Sequence, residues 1–260
     1  MPLADRSELL GLTFERERMP AIVARCVAWC QAPRSSHIVM TANASHLCMM
    51  RRDPVLREAC RAGDLSVADG MSVVWALRAL GRPVPERVAG IDLMTNLLSA
   101  GAEQGLRVYF LGARREVVDA LVTLCAERYP GLVVAGYRDG YFSADAHAAI
   151  VDEIRNCAPH LLFVGMPSPF KEIWCQVHRE RLAVPVIIGV GGSFDVLAGF
   201  VKRAPRLVQV VGFEWAWRLM MEPRKLWRRY ATTNTEFLWL VGREILTRRL
   251  SGNTATADAE

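Results

Sequence analysis

Short runs of Val, Ile and Leu alternate along this chain with longer segments whose apolar positions recur every three to four residues. The runs predict strands at residues 38–41, 65–68, 107–111, 132–137, 161–164 and 184–190. The periodic segments between them predict helices at 21–30, 71–80, 93–103, 117–129, 146–156 and 171–181, with Ser143 as a cap for the helix at Ala146. Strand and helix in alternation predict an α/β fold with a Rossmann-like, mainly parallel sheet core. The alternation stops at Arg206, and only helical patterns rich in aromatic and basic residues follow. The expected organisation is an α/β core over 1–205, a basic, Trp-rich helical appendage over 206–250, and a polar, disordered tail over 251–260.

Composition changes this picture little, since 52% hydrophobic and 23% charged residues in 260 suit a globular protein with a substantial core. Charge changes it more. Of the 32 Lys and Arg, 11 fall in residues 202–249 against only 4 acids, and that stretch also holds Trp215, Trp217, Trp227 and Trp239. Such a segment fits either nucleic acid or an anionic lipid surface. No RNA-binding motif accompanies it, so nucleic acid is not the expected partner. No stretch reaches the ~20 uninterrupted apolar residues of a spanning helix, and the first residues lack the apolar core of a signal peptide. A cytoplasmic protein, peripheral on the inner face of the cell membrane, is expected. The seven cysteines are odd in number and show no C-x-x-C or zinc spacing, which reads as reduced, mostly buried thiols.

In parallel sheets ligands bind beyond the carboxyl ends of strands, and four polar segments occupy such places. Thr41 and Asn43 follow the first run, as pocket residues or as a cap for the next segment. Asp69 and Gly70 follow the second; a carboxylate beside a glycine can act as general base, or again cap a helix. Arg87 sits in the connector 86–92, able to neutralise phosphate, with Asp92 as a cap at Leu93. Gly191, Gly192, Ser193 and Asp195 follow the last run, where glycines expose backbone N–H groups to a phosphate or nucleotide, unless they form a tight turn alone. This glycine segment matches neither the dinucleotide nor the P-loop fingerprint. There is no D-x-D pair and no ligand spacing among the five histidines, which read as structural, so neither a metal nor a cofactor is expected. A G-x-S-x-G nucleophile is also missing.

In this order and spacing, the segments resemble the WecG/TagA/CpsF glycosyltransferases of bacterial surface-polymer synthesis from about Thr41 to Arg229. The resemblance is carried by Thr41-x-Asn43, Ala68-Asp69-Gly70, Glu86-Arg87-Val88-x-Gly90-x-Asp92-Leu93, Phe110-Leu111-Gly112, Gly140-Tyr141-Phe142 and Gly189-Val190-Gly191-Gly192-x-Phe194-Asp195. Arg203-Ala204-Pro205 and Glu214-Trp215-x-x-Arg218-Leu219 with Glu222-Pro223 complete it. It implies metal-independent, inverting transfer of a sugar from a UDP-sugar donor to a polyprenyl-diphosphate-linked sugar acceptor. By the same resemblance Asp69 is the general base, Thr41 and Asn43 lie beside it, and Arg87 lies near the diphosphate. Gly191, Gly192, Ser193 and Asp195 bind the nucleotide, and Arg218, Arg224 and Arg228 or Arg229 are arginines of an appendage that closes the site at the membrane.

Where the family usually shows Pro-Lys-Gln-Glu, this chain reads Pro169-Phe170-Lys171-Glu172. Lys171 beside Glu172 then brings charge where an amide is usual, and the variant resembles the branch with the xanthan-type β-1,4-glucosyltransferase. That points to exopolysaccharide synthesis and to UDP-glucose rather than UDP-N-acetylmannosamine or its uronic acid. Another nucleotide-binding α/β enzyme, such as an epimerase or methyltransferase, is the alternative, and a nucleic-acid-binding module a third. The oligomeric state, a homo-oligomer included, stays open.

Overall fold

The computed structural model describes residues 6–32, 35–221 and 223–257, with the side chains of 225, 226, 229, 230 and 248–257 outside the described set. Six strands pair in parallel in the order β4-β3-β8-β7-β5-β6: β3 His37–Ala42, β4 Leu65–Ala68, β5 Arg107–Gly112, β6 Val133–Arg138, β7 Leu161–Gly165 and β8 Val186–Gly189. All six expected strands are present. Their continuous apolar runs follow from burial on both faces; every residue of β4 is buried, as are all but one in each of β3, β7 and β8.

Helices cover both faces. One layer packs α1 Met19–Gln31, α5 Gly90–Glu103, α6 Arg115–Arg128 and α9 Ser193–Leu197 around Leu93, Leu97, Phe110, Phe163 and Phe194. The other packs α2 Ala44–Arg52, α3 Pro54–Arg61, α4 Met71–Ala79, α7 His147–Cys157 and α8 Phe170–Leu182 around Leu47, Leu56, Leu77 and Trp174. Helices α2 and α3 were not expected from the periodicity. Arg51, Arg52 and Asp53 fall at the junction of the two and break the apolar repeat, and Asp53 begins α3 by accepting the N–H of Leu56. The antiparallel hairpin β1 Arg6–Leu9 and β2 Leu12–Glu15 was also not expected. Its two four-residue strands are too short for periodicity to register, though Leu9, Leu12 and Phe14 are fully buried or nearly so.

The remaining helices form the appendage: α10 Arg206–Val210, α11 Glu214–Met221 and α12 Pro223–Ala257. Helix α12 lies on α2, and Thr233, Phe237, Leu240 and Val241 supply its buried face. Burial of three large apolar side chains is worth about 1.5–3 kcal/mol each, so α12 is part of the core as well as of the surface. Helix α12 runs on to Ala257, into the stretch read from the sequence as a polar tail. Residues 258–260 lie outside the described residues. Two expected caps differ as well. Ser143 precedes a 3-10 turn without a side-chain capping bond, and Asp92 lies inside the first turn of α5, which begins earlier, at Gly90. Among the described residues no helix is long and apolar enough to cross a membrane.

Candidate active site

Placing β8 between β3 and β7 brings the ends of β3 and β8 side by side, although they are far apart in the chain. Thr41 Oγ1 donates to the carbonyl of Gly189 at 2.8 Å and ties those two ends together. A crevice opens beyond them, as expected where strand order departs from chain order. The appendage roofs it, enclosing a cavity of about 580 Å³. Asn43, Asp69, Gly192 and Ser193 line its polar floor, Arg87, Arg203, Glu214 and Arg218 its rim, and Met71, Trp75, Trp215 and Phe237 an apolar wall.

Each floor residue is held by the local chain. Asn43 is the N-cap of α2; its Oδ1 accepts from Ser45 and His46 N–H, while His46 Nδ1 accepts from Asn43 N–H at 3.4 Å. The capping role and the pocket role weighed for Asn43 therefore coincide. Asp69 directly follows β4 and its Oδ1 accepts the Gly90 N–H at 3.0 Å. Burial pushes the Asp69 carboxyl above the ordinary aspartate value, against the opposing pull of the Gly90 bond and the Arg87 charge. A carboxylate of raised proton affinity facing a cavity is suited to take a proton. Gly191 adopts φ +53°, a left-handed conformation that glycine accepts freely. At Gly192 the guanidinium end of Arg218 lies 2.5 Å from where a Cβ would stand, so a side chain there would displace that arginine.

Of the expected site residues, Thr41, Lys171, Glu172, Gly191, Asp195, Arg224 and Arg228 do not line the cavity. Thr41 is buried and spends its hydroxyl on Gly189, and Asp195 is not among the lining residues. Lys171 and Glu172 are buried below the floor. Lys171 Nζ bonds Glu172 and Ser168, while His46 Nε2 lies 2.9 Å from both Ser168 Oγ and Glu172 Oε1. Burial works against the Glu172 charge, but His46 and Lys171 outweigh it and hold the carboxyl well below the usual range. The Lys171 charge is therefore already neutralised where the structure holds it. Ser193 lines the cavity yet turns its hydroxyl to the Val190 carbonyl at 2.8 Å. Arg224 and Arg228 are exposed on α12, with Arg228 over the Trp227 ring, and the Arg229 side chain lies outside the described residues.

Several contributors were not assigned from the sequence. His46 links the buried network to the Asn43 cap, and Arg203 and Glu214 meet Arg87 at the rim. No spacing marks these pairs, because their partners come from distant elements. The cysteines conform to expectation: all seven are free and six are buried, with burial pushing Cys26, Cys30 and Cys175 up to about 12. Among the described residues no group of three or more His, Cys, Asp or Glu is placed to hold a metal ion.

A family model described as "Glycosyl transferase WecG/TagA/CpsF family" matches residues 7–251. The chain is similar to an N-acetylglucosaminyldiphosphoundecaprenol N-acetyl-beta-D-mannosaminyltransferase of Bacillus spizizenii, 34% identical over 191 residues that cover 74% of this chain and 73% of the relative. A protein of the same description from Staphylococcus aureus strain MW2 is 30% identical over 222 residues, covering 85% of this chain and 87% of the relative.

Proposed function

The chain belongs to the WecG/TagA/CpsF glycosyltransferase family, and on that premise we propose that it transfers a hexose from a UDP-sugar to a polyprenyl-diphosphate-linked sugar, with inversion and without metal. The observation that carries this reading is Asp69: a cavity-facing carboxylate of raised proton affinity, with Arg87, Arg203 and Arg218 around the same space. The acceptor hydroxyl gives its proton to Asp69 as its oxygen attacks the anomeric carbon, and the bond to UDP breaks in the same displacement. Charge developing on the departing diphosphate is met by guanidinium groups. The apolar wall of Met71, Trp75 and Trp215 suits the first isoprene units of the acceptor.

The names of the relatives support an acceptor bearing N-acetylglucosamine on undecaprenyl diphosphate, in cell-surface polymer synthesis. For the donor, the Lys171-Glu172 variant favours UDP-glucose and exopolysaccharide synthesis, whereas those names favour an N-acetylmannosamine donor. The exposed Trp227, Leu238 and Trp239 on the helix that also exposes Arg224 and Arg228 support attachment to the inner membrane surface, where the acceptor lies. Incubation with UDP-glucose, UDP-N-acetylglucosamine and UDP-N-acetylmannosamine and a short-chain prenyl-diphosphate N-acetylglucosamine is the test. A β-linked disaccharide lipid with release of UDP is the expected product. Failure to turn over any UDP-hexose on any prenyl-diphosphate sugar would reject the reading.

A further inference from the structure

Arg87 and Arg203 reach the cavity rim from different parts of the fold, the first from the connector before α5 and the second from the loop after α9. Both meet the same two carboxylates. Arg87 Nη1 bonds Glu214 and its Nη2 lies 3.8 Å from Asp92, while Arg203 Nη2 lies 2.7 Å from Asp92 and its Nε 3.6 Å from Glu214. Two guanidinium groups and two carboxylates cancel, so these arginines offer little net attraction to an incoming anion while Glu214 is in place.

The two carboxylates differ in how they are anchored. Asp92 stands in the first turn of α5, whose Leu93, Met94, Leu97 and Leu98 are buried in the core. Glu214 opens α11, a helix with no buried residue. A second observation concerns Arg203: its Nε and Nη2 are buried yet form no hydrogen bond among the described residues, only the ion-pair approaches above. Buried donors without well-directed acceptors are costly, and a guanidinium fork is better matched by the several oxygens of a phosphate.

We infer that Arg87 and Arg203 form one diphosphate clamp whose anion place is held by the Glu214 carboxylate, and that a diphosphate enters by exchanging with Glu214 and releasing the start of α11. Asp92 remains as the fixed counter-charge that spaces the two guanidinium groups. Arg203 becomes a binding residue, and α11 reports occupancy of the site. The identity of the ligand rests on the UDP-sugar reading above, but the exchange itself needs only a diphosphate.

The test uses the full chain and inorganic pyrophosphate, with binding followed by calorimetry and α11 by amide hydrogen exchange. Glu214→Gln is expected to tighten pyrophosphate binding about tenfold and Arg203→Gln to weaken it about tenfold, the scale of a charge-assisted contact. In the wild-type protein, exchange over residues 214–221 is expected to accelerate as pyrophosphate saturates the site. The exchange measurement needs no variant, so a misfolded substitution cannot decide the matter. Unchanged or weaker binding by a folded Glu214→Gln protein overturns the inference. So does wild-type α11 exchange that slows or stays constant, or wild-type protein that binds no pyrophosphate at millimolar concentration. Binding and exchange that respond as described, in a protein that turns over no UDP-sugar, would uphold the clamp and reject the transfer reading.

Discussion

Asp69 accepts the backbone N–H of Gly90, so the carboxylate that directly follows β4 also holds the first residue of α5. One residue thus joins the sheet edge, a helix start and the cavity floor. The bond favours the charged carboxylate, but burial outweighs it, and the proton is held more tightly than by an ordinary aspartate.

Asp69→Asn is therefore expected to separate activity from stability. Turnover should fall ~10²-fold or more, the scale of a lost general base, while UDP affinity stays near wild type. Between the ordinary value of 3.8 and the raised folded value, the native protein binds the Asp69 proton more tightly than the unfolded chain. Wild-type stability contributed by this group then falls as pH rises through that window, and the cost is full above it. The asparagine still offers Gly90 an acceptor and carries no charge, so at neutral pH the variant should melt no lower than wild type. Melting curves from acid to neutral pH check this, and a marked loss of stability at neutral pH would contradict it.

The same proton affinity shapes the rate. A base must be unprotonated to act, so kcat/KM should rise with pH along a limb centred above 3.8, set by the raised Asp69 value. An acid limb at the ordinary aspartate value would assign the base elsewhere.

Lys171 and Glu172 are expected to matter through stability. Lys171→Met leaves the Glu172 carboxylate buried with His46 and Ser168 alone, and removing one partner of a buried pair costs about 3–5 kcal/mol. Lys171→Gln, which keeps a donor, should cost less. Because the folded Glu172 value lies below the ordinary 4.5, its contribution is present above that pH and is lost as pH falls toward the folded value. Urea denaturation at neutral and acid pH measures both effects.

Transfer is expected to persist after EDTA treatment in metal-free buffer, since Arg87, Arg203 and Arg218 line the cavity and can meet the diphosphate charge, while the Asp92 and Glu214 carboxylates are paired with arginines. Activity lost to chelator and restored by Mg²⁺ or Mn²⁺ would count against it.

Charge reversal at Arg224, Arg228 and Arg229 should weaken pelleting with anionic vesicles, each charge being worth about 1 kcal/mol near such a surface. Arg224 and Arg228 are exposed, so thermal stability should barely change. Truncation before Arg206 is the poorer experiment, because it removes Phe237, Leu240 and Val241 from the core. Equal binding to neutral vesicles in high salt would reject electrostatic docking.

The sequence alone determined the six strands, most of the helices on either face and the change of character at Arg206, because continuous apolar runs and helical periodicity are local properties. It also singled out Asn43, Asp69, Arg87 and the glycine segment, since polar residues at strand ends are visible without knowing which strands are neighbours. Only the tertiary structure decided that β8 lies beside β3, and so that Thr41 spends its hydroxyl on Gly189 across 148 residues of chain. It also buried Lys171 against Glu172 and His46, and set Arg203 and Glu214 against Arg87. Helix α12 shows the division within a single element. Its apolar positions were readable, but only contact with α2 separates Phe237 and Leu240, which face the core, from Leu238 and Trp239, which face outward. Ion pairs and packed faces between distant segments depend on which surfaces meet, and no local pattern of residues encodes that meeting.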